Sequence, residues 1–262
     1  AAKKAGVKKI MYRRGVALPV HNNLYNKYLF RKIITHIITN SHATKNLLIK
    51  ENAKLVKQDK FRIIYNGLDF KEFDQRHVDP FYTRQGNELI IGNASRFVRQ
   101  KGHKILIEIA RKLKENQIPF RLLLAGEGKL KSSIIKLAKK EDVYDNLLFT
   151  GFITNIKSFM ASIDIFLLTS LWEGFDYVLV EAMASKKQVI AFDISGNPEI
   201  IRDGENGYLI PFLDTDTFVQ KIMTLYQNPR LLDRMAEQAR KTAVENFDMD
   251  YMVRQVEELV AE

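Results

Sequence analysis

The stretch LIIGNASRFVRQKGHKILIEIARKLKENQIPFRLLLAGEGK, residues 89–129, decides the fold. LIIGNA (89–94) is a short continuous apolar run, as a strand buried on both faces requires. HKILIEIARKLKENQ (103–117) carries apolar residues at helical spacing, and RLLLAG (121–126) is a second run of strand length. Strand, loop, helix and strand in that order make a βαβ unit and hence a parallel pair.

The alternation continues. LKSSIIKLAKK reads as a helix, LLFTG (147–151) as a strand, IKSFMASI as a helix and DIFLLTS (164–170) as a strand. YVLVEAMAS follows as a helix, then QVIAFD (188–193) and YLIPF (208–212) as strands. The class is α/β, with right-handed crossovers and a Rossmann-like parallel sheet. Ligands of such sheets bind beyond the carboxyl ends of the strands, so chemistry belongs in the loops after residues 94, 125, 150 and 168. KKIMY, THIITNS and FRIIYNG read as strands around a helix at 41–52, the last part of a second Rossmann-like domain. Residues 70–88 are polar, contain Pro80 and Gly86, and suit a linker. The reading is therefore a partial domain at 1–69, a linker at 70–88 and a main domain at 89–247. A last helix at 248–262 is expected to pack back on the N-terminal part.

Charge is unevenly spread along the 262 residues. Residues 1–60 hold 14 lysines and arginines against Glu51 and Asp59 alone, which accounts for all of the net charge of +10. A segment this basic either meets an anionic surface or is simply well solvated. The chain has no cysteine, which removes disulfides and thiolate metal sites and fits a reducing compartment. It contains neither an apolar run of about 18 residues nor a secretory leader pattern.

In SRFVRQKG, Arg96 and Lys101 lie just before a helix, where cations beside a helix N-terminus can clamp phosphates. An ordinary solvated loop would carry the same residues. AGEGK (125–129) allows close backbone approach at Gly126, but its spacing is not that of the phosphate loop G-x-x-x-x-G-K-[ST]. In EGFDYVLVE (173–181), Glu173 sits in a loop and Glu181 about one turn into a helix. Both can reach one crevice, and a carboxylate can accept two hydroxyls of a sugar or ribose. A turn-capping Glu173 and a solvated Glu181 would read the same. The D-x-D runs at 214–216 and 248–250 begin helices, so capping accounts for them. Of five histidines, only His21 and His103 lie near these loops, and none has metal-ligand spacing.

Taken in order, these loops resemble those of the retaining GT-B glycosyltransferases of family 4, the group 1 glycosyl transferases. The family's E-G-F-x5-E reads EGFDYVLVE, its phosphate clamp SRFVRQKG, its GEGP turn GEGK, and its G-x-P-E segment SGNPE. Its interdomain N-G-[IV]-D reads Asn66-Gly67-Leu68-Asp69. The match runs over roughly residues 61–213. The resemblance implies transfer of a sugar from a nucleotide-diphosphate sugar, with retention, to a glycan or lipid-linked acceptor. It implies neither metal nor cofactor. Arg96 and Lys101 would neutralise the diphosphate, assisted by the amides of Gly174 and Phe175. Glu181 would take the ribose, Glu173 the transferred sugar, and backbone atoms around Gly151 and Phe152 the base.

There are departures. Asp176 stands where the family has Gly or Pro, and is expected to turn away and cap the helix. Arg13, Arg14 and Gly15 occupy the region of the family's acceptor histidine. The chain reads as a fragment, expected to bind nucleotide but to transfer sugar poorly by itself. A cytoplasmic protein is expected, peripheral on the inner face of an anionic membrane and not bound to nucleic acid. The other readings are an epimerase or phosphorylase on the same scaffold, or a basic nucleic-acid binder using Tyr12, Tyr25, Tyr28 and Phe30.

Overall fold

Two parallel sheets divide the chain, whose computed structural model describes residues 2–15 and 18–262. The smaller sheet has the order β1 (Met11–Arg14), β2 (His36–Thr39), β3 (Phe61–Ile63). α1 (Leu24–Tyr28) precedes β2, and α2 (His42–Asn52) follows it. β1 begins three residues later than KKIMY suggests. Its core is small: Phe30, Ile37, Leu48 and Phe61 are buried together.

The larger sheet contains β4 (Leu89–Ala94), β5 (Phe120–Ala125), β6 (Leu147–Gly151), β7 (Ile165–Leu168), β8 (Gln188–Phe192) and β9 (Tyr208–Ile210). Their spatial order is β6-β5-β4-β7-β8-β9, every neighbouring pair parallel. Counted within this domain, the order is that of the dinucleotide-binding folds, 3-2-1-4-5-6.

Strict alternation along the strands builds two cores, because successive strand side chains leave by opposite faces. Ile91, Leu122, Leu124, Ile165 and Ile190 face one side, under α4 (His103–Glu115) and α5 (Lys131–Lys140). Ile90, Leu123, Phe166, Leu168 and Val189 face the other, under α6 (Ile156–Ala161) and α7 (Tyr177–Ala184). α4 shows how the sequence enforces this. It buries Leu106, Ile107, Ala110 and Leu113, the i, i+1, i+4, i+7 stripe of an amphipathic helix.

The connection at 70–88 is more than a polar linker. It holds α3 (Phe70–Gln75), capped by Asp69, whose carboxylate accepts from the Glu72 amide at 2.9 Å. Phe70 and Phe73 sink into the second core, burial worth about 1.5–3 kcal/mol per side chain. Beyond the short α8 (Asn197–Ile200) come α9 (Thr215–Gln227), α10 (Pro229–Asn246) and α11 (Met249–Ala261). α11 lies on the smaller sheet. Its Leu259 packs with Ile38 and Ile64, and Lys9 Nζ donates to the Leu259 and Val260 carbonyls at 3.1 and 2.8 Å. A cation at a helix C-terminus is favoured by the helix dipole. Among the described residues, no helix is long and apolar enough to cross a membrane.

Candidate active site

The strand order reverses between β4 and β7, so the loops leaving those two strands diverge and open a crevice. They are also tied together at their roots. Thr169 Oγ1 donates to the carbonyls of Lys101 and Gly102 at 3.2 and 3.3 Å, and the Leu171 amide donates to the Gln100 carbonyl at 2.7 Å. Gly102 has φ +64°, and a Cβ there would collide with the Thr169 carbonyl. The sharp turn at Gly102 aims Lys101 across the gap.

Lys101 reaches two acids on the far loop. Its Nζ lies 2.5 Å from Glu173 Oε1 and 3.1 Å from Asp176 Oδ1. Glu173 and Asp176 are buried, at 8% and 4% exposure, so these ion pairs are shielded from solvent screening. Burial alone would lower the Lys101 ammonium, but Asp176 and Glu173 outweigh it and hold it above the ordinary lysine value. Burial pushes the Asp176 carboxyl up to about 7, against the pull of Lys101 and with the push of Glu173. Nearby His103, buried and beside Lys101, is pushed down to about 4 and is neutral.

This corrects the capping expectation for Asp176. It occupies the N-cap position of α7 but makes no cap hydrogen bond. A buried cation attracts it more strongly than a backbone amide does. Asp214 and Asp248 do cap, accepting from the amides of Thr217 at 2.9 Å and Tyr251 at 3.2 Å.

Glu173 is held from three directions. Its Oε2 accepts from Gln100 Nε2 at 3.2 Å, and its amide donates to Ser195 Oγ at 3.2 Å. Ser195 has φ +52°, an uncommon conformation for a non-glycine residue. The next residue, Gly196, lies so close to the Gly174 carbonyl that a Cβ would collide with it. The 193–197 loop therefore braces the 173–176 loop. Among the described residues, the Gly174 and Phe175 amides have no acceptor. The Phe175 ring is buried, 5.7 Å from Tyr65 and 5.4 Å from Phe247, so only its backbone is available to a ligand.

Beside this cluster opens a cleft of about 590 Å³, lined by Arg76, Ser95, Arg96, Gly126, Phe152 and Glu181 among others. That volume suits a small-molecule ligand of nucleotide size. Arg96 is exposed and, among the described residues, its guanidinium has no hydrogen bond or ion pair. Glu181 lies within α7, and burial pushes its carboxyl up to about 7 despite the opposing pull of Arg76. Gly151, just before Phe152, has φ +74° and presents its carbonyl to the Gly126 amide, 2.7 Å away. Phe152 projects at the rim, 76% exposed.

The site residues thus fall into two adjoining groups. Lys101, Glu173, Gly174 and Phe175 lie on the β4 and β7 loops, while Arg96, Gly126, Phe152 and Glu181 line the cleft. Sequence reasoning missed Arg76, which enters from the connection after α3 and belongs to no motif. It also missed the contacts of Gln100 and Ser195, although both lie inside motif segments. Among the described residues, no group of His, Cys, Asp or Glu side chains could hold a metal ion. Tyr12 and Phe30, offered as stacking aromatics for nucleic acid, pack edge to face on each other at 5.0 Å.

The two units also meet beside the site. Glu199 of α8 accepts from the His42 and Ala43 amides at 2.7 and 2.8 Å and from the Tyr65 hydroxyl at 2.9 Å. A carboxylate is favoured there because the first amides of α2 lack intrahelical partners and carry the positive end of the dipole.

The sequence pattern of the glycosyl transferases group 1 matches residues 74–242. The chain belongs to that family. It is 38% identical over 144 residues to the putative glycosyltransferase EpsD of Bacillus subtilis, covering 55% of this chain and 38% of that protein. It is 31% identical over 219 residues to the N-acetyl-alpha-D-glucosaminyl L-malate synthase of Bacillus anthracis, covering 82% and 57% respectively. The chain therefore spans about two to three fifths of the length of these curated relatives. The fold is that of GT-B glycosyltransferases. The crystal structure of Anabaena Alr3699/HepE in complex with UDP and glucose superposes with a TM-score of 0.84 at 21% identity, over 100% of this chain and 73% of that one. A glycosyltransferase from Rickettsia africae superposes with 0.87 at 24% identity, over 98% and 71%.

Proposed function

We propose that this chain forms the donor-binding part of a retaining, metal-independent family 4 glycosyltransferase. It would move a sugar from a nucleotide-diphosphate sugar to a glycan or lipid-linked acceptor, as in polysaccharide biosynthesis. The observation that carries the reading is a cleft, at the reversal of a doubly wound sheet, lined by an unpaired Arg96 and a half-buried Glu181 and adjoined by the Lys101–Glu173 pair. Arg96 and Lys101 would take the diphosphate, with the free amides of Gly174 and Phe175 adding to the charge stabilisation. Glu181 would accept the ribose hydroxyls. Glu173 would hold the transferred sugar. Backbone atoms near Gly151 and Phe152 would read the base. That the HepE structure contains UDP and glucose supports this reading of the cleft. No observation favours the epimerase, phosphorylase or nucleic-acid readings.

A thermal-shift panel of UDP, GDP and ADP tests the reading. The matching diphosphate at a hundred times its Kd should add about 2.7 kcal/mol to stability. Glu181→Ala should remove most of that gain for nucleoside and diphosphate alike, because the ribose is common to both. No shift with any nucleotide would overturn the donor-site assignment.

The basic segment suits a cytoplasmic protein that touches the inner face of an anionic membrane. Lys8, Arg31, Lys32, Lys50, Lys54 and Lys57 are all exposed on the smaller unit. Each cation near such a surface contributes about 1 kcal/mol. Co-sedimentation with vesicles should rise with the fraction of anionic lipid and fall with salt. Binding indifferent to both would remove the membrane from the proposal.

A further inference from the structure

Asp176 is the acid that the family pattern does not account for. The cluster it joins contains one cation, Lys101, and two carboxylates, so with both acids ionised it carries an excess negative charge. That charge lies beside the lysine to which the donor reading assigns the diphosphate. The groups facing Asp176 are Lys101 from the β4 loop and Glu173 from its own loop, with neutral His103 behind Lys101. Its Oδ1 is held by Lys101, while its Oδ2 is buried without a hydrogen-bond partner. An ionised carboxylate with one oxygen unpartnered and buried is costly. A protonated carboxyl in the same place costs less, because the neutral form needs less solvation.

Resting on the donor-site reading, we propose that Asp176 is a positioning residue that acts through Lys101. In the free protein it shares Lys101 with Glu173. When a diphosphate arrives, Lys101 turns to the phosphate oxygens and Asp176 takes up one proton from solvent. No covalent bond changes; the diphosphate anion replaces one carboxylate as the partner of the lysine. Donor binding is thereby linked to proton uptake, and Asp176 sets the pH range in which Lys101 is released. The raised affinity of Asp176 for protons supports the linkage. The sign follows from it. A carboxyl held up to about 7 is increasingly ionised above that value in the free protein, so binding that requires the protonated form takes up a proton and weakens as pH rises through about 7.

UDP-glucose is the suitable probe, since its diphosphate has no terminal ionisation near neutrality. Calorimetry on the full enzyme in two buffers of different ionisation heat gives both Kd and proton uptake. For the native enzyme, Kd should rise about tenfold between pH 7 and 8.5, with up to one proton taken up. Asp176→Asn keeps the shape and an acceptor for Lys101 but cannot titrate. It should bind with a Kd flat across that range, no proton uptake, and at pH 8.5 about tenfold tighter than the native enzyme. A native enzyme that binds UDP-glucose with a pH-independent Kd overturns this role for Asp176 and leaves the donor site standing. An Asp176→Asn enzyme that keeps the native pH profile does the same. Failure to bind UDP-glucose at any pH, together with no response to the other nucleotides, overturns both readings.

Discussion

Lys101→Ala in the full enzyme is expected to lower kcat/KM for sugar transfer by about 10²–10³-fold, the usual loss when one donor to developing charge is removed. On the proposed reading the diphosphate would leave with extra negative charge, and Lys101, positioned by the Gly102 turn, would be the cation that meets it. Affinity for the free nucleoside diphosphate should fall by about tenfold to a hundredfold, since a charge-assisted hydrogen bond is worth about 1.5–3 kcal/mol. Affinity for the bare nucleoside should not change. The variant should also be less stable. Removing the cation leaves Glu173 and Asp176 buried beside each other, and breaking a buried pair in this way costs about 3–5 kcal/mol. Acid should relieve that penalty by protonating Asp176, whose carboxyl burial already pushes up to about 7, so the loss seen by denaturant unfolding should be smaller at pH 5 than at pH 8. Equal weakening of nucleoside and diphosphate would show that Lys101 supports the fold and not the phosphates.

Local patterns carried most of the architecture. LIIGNA coincides with β4, and RLLLAG is displaced from β5 by one residue, because both are long apolar runs bounded by polar residues. α3 was missed, although its signals are present. Asp69, Glu72 and the Phe70–Phe73 spacing are a cap and an apolar face, but the polar residues that follow mask them. Long-range facts were not legible. Asp176 has the composition and position of an N-cap, and local propensity alone assigns it that role. Its actual partner, Lys101, is 75 residues away in sequence and reaches it only because β4 and β7 are neighbours. The motifs singled out the loops, while the sheet order determines which loops face each other. Arg76 shows the same limit, since its place in the cleft depends on where the connection after α3 crosses the larger domain.

The brace around Glu173 explains why the site tolerates so many polar groups in so little space. Gln100, Lys101 and Ser195 each fix a different atom of Glu173, and the root contacts of Thr169 and Leu171 keep the two loops in register. Such a network is worth more when complete than its separate contacts suggest. It also places the carboxylate before any sugar arrives, so little ordering remains to be done on binding.

Glu173→Ala should therefore separate turnover from nucleotide affinity. The partner proposed for Glu173 is the transferred sugar, which the free nucleoside diphosphate lacks. Removing Glu173 leaves Lys101 paired with Asp176 at 3.1 Å, so the cation stays charged and near its native position. Calorimetry should then find the Kd for the nucleoside diphosphate within about threefold of the native value, less than 1 kcal/mol. Turnover should fall by about 10²–10³-fold, because on the proposed reading the sugar would lose the contact that holds it for attack. Affinity for the intact nucleotide sugar should fall toward that of the bare diphosphate. Glu173→Gln should recover part of the nucleotide-sugar affinity, since its carbonyl oxygen still accepts a hydroxyl, but little of the rate. Loss of diphosphate binding in Glu173→Ala would assign the residue to the phosphate subsite, as a support for Lys101, and remove it from the sugar.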